Sequence, residues 1–168
     1  MNCLSPALRS PFSFHGKKIA PVWALFLALM LSTFSMRGQI RMAIIVHPEN
    51  PVNNLSLVDL KRIFLGYTLT FATGDRIVLT EYSRLKEQFD RQVLKMSSQK
   101  VKKHWIRMVF SGKGAAPPRQ FNELPELLEF VRKHRGAIGF VPYAEADTTV
   151  KIIKIEGKKP DETDYPLK

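Results

Sequence analysis

The chain has 168 residues, of which 45% are hydrophobic and 24% are charged, and its formal net charge is +11. This composition suits one globular domain with a substantial core, and it excludes collagen-like and disordered chains. The only cysteine is Cys3, so residues 39–168 contain no disulfide and no thiol chemistry.

The positive charge is unevenly distributed along the chain. The first 38 residues contain Arg9, Lys17, Lys18 and Arg37 and no acid, so subtracting these four from +11 leaves +7 for residues 39–168. A domain of this charge attracts anions generally, including phosphate, nucleic acid and lipid surfaces. Solvated Lys and Arg side chains on helix faces also explain it, because net charge by itself specifies no partner.

A basic pair followed by an apolar run opens the chain. Lys17 and Lys18 precede the apolar residues 19–36, and small or polar residues follow. This order is typical of a signal peptide, and Pro21 leaves the run short for a membrane span of about 20 residues. We predict that residues 1–38 are a signal peptide, cleaved near residues 35–39, or an N-terminal anchor. Under either interpretation residues 39–168 face the periplasm.

Apolar β-branched runs alternate with amphipathic stretches in the rest of the chain. The patterns predict strands at residues 41–46, 76–80, 137–142 and 150–155. They predict helices between Ser56 and Gly66, at residues 84–95, from Ser97 through Val109, and at residues 123–134. This alternation predicts an α/β fold with a mixed, largely parallel sheet flanked by helices. A loop is expected at residues 110–118, and a polar tail after residue 155.

Helical spacing also predicts which side chains face the core. The expected inward side chains are Leu57, Leu60, Ile63 and Phe64, then Leu85, Phe89, Val93 and Leu94, then Val101, Trp105, Met108 and Val109, and finally Leu127, Leu128 and Val131.

Several stretches share their order and spacing with one known family. They are VHPENPV at residues 46–52, the spaced apolar residues of 57–66, GAIGFVPY at residues 136–143, and VKIIKI at residues 150–155 with its continuation to residue 167. In this order they resemble phosphate-type ABC transporter substrate-binding proteins, which are type 2 periplasmic binding proteins. The resemblance covers about residues 43–167. It implies one lobe of such a protein, because full members have two lobes and about twice this length.

The resemblance implies an anion site at residues 80–89. In the family a Ser-Gly-Thr step begins a helix, and its amides and hydroxyls hold the oxyanion. Ser83, Arg84 and Leu85 occupy the matching positions. On this interpretation Ser83, the two following amides and the Arg84 guanidinium bind phosphate or a similar oxyanion. The alternative is that Ser83 only caps the helix, since Glu81 nearby would repel an anion.

A glycine-containing loop at residues 111–114 is the second candidate for anion binding. Ser111 and Gly112 would expose backbone amides beside Lys113. The loop lacks the Walker pattern and does not join a strand to a helix, so a nucleotide site is not expected. A flexible surface turn is the alternative interpretation.

The sequence predicts no catalytic site, no metal site and no cofactor. His47, His104 and His134 are scattered without the spacing of metal ligands, and Ser83 lies in no nucleophile motif. We therefore expect an exported, non-enzymatic relative of phosphate-binding proteins that binds phosphate or a similar anion weakly. Its expected protein partner is an ABC permease.

An envelope interaction module that has lost ligand binding is the alternative function. A single lobe leaves uncovered the surface that would face its missing lobe, and exposed apolar surface often marks an interface. Nucleic acid is not an expected partner, because no aromatic and basic motif accompanies the charge. Membrane contact is expected only through residues 19–36.

Overall fold

The computed structural model describes residues 40–112 and 114–168. The predicted signal peptide or anchor and its cleavage zone lie outside the described residues. In the part of the chain that the structure describes, no helix is long and apolar enough to cross a bilayer.

A mixed β-sheet forms the centre of the described residues. Its strands are β1 (Met42–Val46), β2 (Asn54–Leu55), β3 (Val78–Tyr82), β4 (Arg119–Phe121), β5 (Ala137–Pro142) and β6 (Lys151–Ile155), in the spatial order β2-β6-β1-β5-β3-β4. β1 lies antiparallel to β5 and β6, whereas the pairs β2–β6, β3–β5 and β3–β4 are parallel. The α/β fold with a mixed, largely parallel sheet is therefore confirmed.

Helical segments flank this sheet. They are α1 (Leu57–Phe64), a 3-10 turn (Ser83–Leu85) that continues into α2 (Lys86–Phe89) and a π turn (Asp90–Leu94), α3 (Ser98–Phe110), α4 (Leu124–Lys133) and a 3-10 turn (Tyr143–Glu145). The predicted cap of α1 is confirmed: Ser56 Oγ accepts a bond of 3.0 Å from the Asp59 amide and donates one of 2.7 Å to its carboxylate. Gly66 ends this helix with a φ of +72°.

The core lies on both faces of the central strands. Every residue of β1 and β5 is buried, which explains why their sequences are continuous apolar runs rather than alternating ones. Phe89 of α2 stacks on Phe140 of β5 with ring centroids 4.0 Å apart, and Phe64 of α1 lies 4.6 Å from Phe89. These rings join two helices to the sheet, and such pairs each add about 0.5–1.5 kcal/mol beyond their area burial.

Two predictions about the helices are wrong in detail. The segment predicted as one helix at residues 84–95 divides into 3-10, α and π turns, and Lys95 ends it in the left-handed conformation. Val109 was predicted to face the core but is 51% exposed, whereas His104 is buried and its Nε2 lies 2.8 Å from the Leu65 carbonyl oxygen. The buried positions of α3 are Val101, His104, Trp105 and Met108. Val109 is exposed because it lies about 100° further round the helix than Met108.

The predicted polar tail ends in two apolar side chains that are buried. Tyr165 and Leu167 are each 1% exposed, and the Met42 amide donates a hydrogen bond of 3.0 Å to the Leu167 carbonyl oxygen. The end of the chain therefore packs beside β1, because two apolar side chains spaced two residues apart fill the core there.

Candidate functional site

Three neighbouring parallel strands, β5, β3 and β4, end at the same edge of the sheet. Ser83 follows β3, Asn122 follows β4, and the 3-10 turn Tyr143–Glu145 follows β5. Ligands of open α/β sheets bind outside the carboxyl ends of such strands. The fold thus brings the predicted residues Ser83, Arg84 and Leu85 to an edge that suits a ligand.

The Ser83 hydroxyl joins the ends of β3 and β4. Its Oγ lies 2.8 Å from the Phe121 carbonyl oxygen and 2.7 Å from Asn122 Oδ1, and it accepts a bond of 3.0 Å from Gln120 Nε2. The interpretation of Ser83 as a helix cap is wrong, because no side chain caps the 3-10 turn or α2. Ser83 instead forms a polar cluster with Gln120 and Asn122.

Arg84 follows Ser83 directly in the chain, but its side chain reaches Glu145 after β5 rather than the cluster beside β4, and Leu85 is buried. The Arg84 side chain is 58% exposed, and its Nη1 lies 3.7 Å from Glu145 Oε1. A hydrogen bond with Tyr82, and then the charges of Tyr82 and Glu145, raise the pKa of Arg84. Leu85 is fully buried, so only its backbone is available to a ligand.

The second candidate, Ser111 and Gly112, lies at the end of α3. Ser111 Oγ donates to the Met108 carbonyl oxygen at 2.7 Å, and Gly112 has a φ of +68°. Lys113 lies outside the described residues. No hydrogen bond between described residues joins Ser111 or Gly112 to the Ser83 cluster, so the structure does not assemble the predicted residues into one site.

Sequence reasoning missed Gln120 and Asn122. Both belong to or follow β4, a strand of three residues between the Pro117-Pro118 pair and α4. The one local signal was the pair of polar residues around Phe121, directly before a predicted helix. Such a short strand gives no measurable alternation, because one period already spans two residues.

An acidic cluster joins Glu81 of β3 to Lys86 and Asp90 of the helical segment that follows it. Lys86 Nζ lies 2.8 Å from Glu81 Oε2 and 3.7 Å from Asp90 Oδ2, and both carboxylates are almost fully buried. Burial raises the pKa of Glu81, while the Lys86 ammonium acts in the opposite direction. Two acids against one base make this cluster unfavourable for an anion.

A cavity of about 670 Å³ opens between α3 and the segment before β4. We call it the α3 groove. Its apolar lining consists of Val101, Trp105, Ile106, Val109, Phe110, Pro117 and Pro118, and its polar lining consists of Glu81, Lys86, Ser98, Gln99, Lys102 and Gln120. None of the five predicted site residues lines it.

His47 and His134 are held by contacts close in sequence, whereas His104 contacts the Leu65 carbonyl oxygen 39 residues away. The Glu49 amide donates to His47 Nδ1 at 3.1 Å, and His134 Nδ1 lies 2.7 Å from the Phe130 carbonyl oxygen. Residues 40–112 and 114–168 contain no group of three or more side chains able to hold a metal ion.

Comparisons with protein-family models and with curated proteins find no match. Solved structures do match in fold. A protein of Clostridium perfringens, described as a phosphate ABC transporter substrate-binding protein with bound phosphate, has 20% identity and a TM-score of 0.58. An ABC-type phosphate transport receptor from Vibrio cholerae has 21% identity and a TM-score of 0.57. The fold of this chain is similar to part of the fold of these two solved proteins.

The structural resemblance predicted from the sequence is thereby confirmed. PstS from Borrelia burgdorferi also matches, with 12% identity and a TM-score of 0.58. The matches cover 71–76% of this chain but only 46–53% of the three solved chains. This chain thus spans about half the length of the binding proteins that it resembles, and at these identities the likeness is one of fold.

Proposed function

We propose that this chain is a non-enzymatic binding lobe that takes phosphate or a similar oxyanion weakly beside Ser83. The observation that carries the proposal is the polar cluster of Ser83, Gln120 and Asn122 at the carboxyl ends of parallel strands, and the exposed Arg84 follows Ser83 in the chain. The fold likeness to a phosphate-bound protein supports it.

The turn at residues 83–85 offers an anion three kinds of donor. Arg84 can turn from Glu145 and pair with two phosphate oxygens, because its present contact of 3.7 Å is long and exposed. The first amides of the 3-10 turn at Ser83–Leu85 have no acceptor within the turn. The Ser83 hydroxyl can donate to the anion in place of Asn122 Oδ1.

Weak binding follows from the same contacts. An exchanged hydrogen bond is worth only about 0.5–1.5 kcal/mol net, and the Ser83 proton already has acceptors. Glu145 also places a negative charge beside Arg84. A dissociation constant near 1 mM, or about −4 kcal/mol, is therefore expected.

Calorimetry of the full chain with phosphate and with sulfate tests this site. Ser83→Ala and Arg84→Ala are expected to abolish the heat, whereas Arg62→Ala, an exposed cation on α1, leaves it unchanged. Glu145→Gln should strengthen binding, because it removes the repulsion and frees Arg84. The site is refuted if the wild type gives no heat, or if its heat survives both substitutions at the site.

We also propose that residues 1–38 export the domain to the periplasm. The basic pair Lys17 and Lys18 before the apolar residues 19–36 supports this proposal. Fractionation of cells that express the full chain tests export, and amino-terminal sequencing of the product separates cleavage from anchoring. Recovery of the full-length chain in the cytoplasm would refute export.

An ABC permease as partner rests on the fold likeness alone, and co-purification with such a permease tests it.

A second candidate function is that of a protein interaction module, and the exposed face of α3 favours it. Ile106, Val109 and Phe110 are 50%, 51% and 87% exposed, although all three are large apolar side chains on one helix. Contiguous apolar surface of this kind often marks an interface. Loss of a binding partner on substitution of Phe110 would support this function.

A further inference from the structure

The solvent-facing side of α3 carries two adjacent stripes. The apolar stripe consists of Ile106, Val109 and Phe110, at the rim of the α3 groove. The basic stripe consists of Lys100, Lys103 and Arg107, all exposed and spaced by three and four residues. Residues at this spacing share one side of a helix, so each stripe presents a continuous surface.

The basic side chains of α3 form no salt bridge with the described residues. The helix also contains Lys102, at the groove, and it has no acid between Ser98 and Phe110. The salt bridges of residues 40–112 and 114–168 include none of these four bases. An acidic partner would therefore meet cations that do not first have to leave an intramolecular pair.

An aromatic ring and two prolines line the groove beside the two stripes. Trp105 is 6% exposed and lines it, and the Pro117-Pro118 pair lines it as well. Trp105 Nε1 and Ser98 Oγ are buried without a hydrogen-bond partner among the described residues. The tryptophan ring and the two prolines therefore give the groove an apolar lining beside the basic residues of α3.

We propose that the α3 groove docks an acidic amphipathic segment of another protein. Apolar side chains of that segment fill the groove beside Trp105 and Phe110, and its carboxylates lie against the basic stripe and Lys102. This proposal rests on the second candidate function and adds the chemistry of the partner. A concave apolar groove next to cations without salt bridges suits a segment with both features, whereas the surface of a bilayer is flat.

A second copy of this chain is a poorer occupant on electrostatic grounds. Residues 39–168 carry a net charge of +7, so two copies that meet at their basic stripes repel each other. Residues 1–38 are also basic and contain no acid. An acidic segment from a different protein is the occupant that the charges favour.

Selection from displayed random peptides tests the proposal with the full chain as bait. Peptides of about 14 residues, or four helical turns, are long enough to follow α3. The enriched peptides are expected to combine Leu or Phe with several Asp or Glu. One enriched peptide is then synthesised, and its binding is followed by Trp105 fluorescence in a Trp23→Phe variant, since Trp23 and Trp105 are the two tryptophans of the chain.

Substitutions on the two stripes separate their roles. Phe110→Ser should lower the affinity for a selected peptide about tenfold, as expected for a side chain that anchors an interface. Lys103→Glu with Arg107→Glu should do the same and should reduce the salt dependence of binding. Val58→Ser, at a 66% exposed apolar residue of α1, and Lys154→Glu are the matched controls and should change nothing.

Each alternative occupant has its own outcome. If the selected peptides are neutral or basic and their binding still depends on Phe110, the prediction of an acidic partner is wrong, but the second candidate function stands. The absence of any peptide that depends on Phe110 would overturn both. Binding to phosphatidylglycerol vesicles without binding to acidic peptides would assign the face to lipid and overturn the proposal. If sedimentation shows self-association that Phe110→Ser abolishes, the α3 face binds a second copy of this chain, and the proposal is overturned.

Discussion

A Cβ atom on Gly66 would lie 2.8 Å from Cη2 of Trp105. The residue that ends α1 thus touches the six-membered ring of the tryptophan that lines the α3 groove. Gly66 also has a φ of +72°, which L side chains rarely adopt. Two independent constraints require glycine here, and they couple the end of α1 to the floor of the groove.

Gly66→Ala should destabilise the protein more than Gly74→Ala. Gly74 has a φ of +88° but faces open space. Its substitution should therefore lower the free energy of unfolding only by the cost of a left-handed backbone conformation, about 1–2 kcal/mol. Gly66→Ala adds overpacking against Trp105, about 1–3 kcal/mol more. Urea unfolding measures both changes, and Trp105 fluorescence should shift in the first variant only. Equal losses would show that the tryptophan contact is unimportant.

Gly139→Ala should weaken the contact between β3 and β5. A Cβ there would lie 2.1 Å from Thr80 Oγ1, whose hydroxyl donates a bond of 3.0 Å to the Ile138 carbonyl oxygen. The cost is expected to be about 1–3 kcal/mol or more. In a Thr80→Ala background the same substitution should cost less, because the nearest atom is gone. A double-mutant cycle by denaturant unfolding measures this coupling, and additive losses would contradict it.

The stability contribution of Glu81 should fall as the pH rises. Burial raises the pKa of Glu81 in the folded protein above its ordinary value of 4.5. A raised pKa means that the folded state holds the proton more tightly. The contribution is therefore fully present below pH 4.5 and is lost as the pH rises through the folded pKa. The free energy of unfolding of the wild type, relative to Glu81→Gln, should decrease over that range. A flat difference between pH 4 and 7, measured by denaturant unfolding, would contradict the burial effect.

Tyr165→Phe should leave stability unchanged or increase it. The hydroxyl of Tyr165 is buried without a hydrogen-bond partner among the described residues, and burial raises its pKa. Removing an unpaired buried hydroxyl recovers part of its desolvation cost, about 1–3 kcal/mol. Leu167→Ala is the contrasting variant and should cost about 2–5 kcal/mol, since Leu167 is 1% exposed. Thermal unfolding compares the two, and a strong loss in Tyr165→Phe would reveal a partner for the hydroxyl.

Much of the fold could be predicted because its signals are local. The buried runs of β1 and β5, the spacing of α1 and α4, and the Ser56 and Asp59 cap all lie within one element each. Strand and helix periodicities depend only on backbone geometry, so they can be recognised before any tertiary contact is known. The ordered motifs between residues 46 and 167 likewise predicted the binding-protein fold.

The candidate site beside Ser83 was predicted less completely because its contacts join residues that are distant in the sequence. Ser83 was expected as an anion ligand or a helix cap, yet its partner Asn122 lies 39 residues away. That contact exists because β3 and β4 are parallel neighbours, a relationship that no local pattern encodes. Gln120 was missed for the same reason.

By itself, the sequence determined the fold class, the positions of the longer elements and the net charge of +7 over residues 39–168. Tertiary structure alone decided that Ser83 joins two strands, that Val109 and Phe110 face outwards, and that Tyr165 and Leu167 are buried. The physical reason is that spacing along the chain defines the face of an element. Only the packing of neighbouring elements determines whether that face is covered.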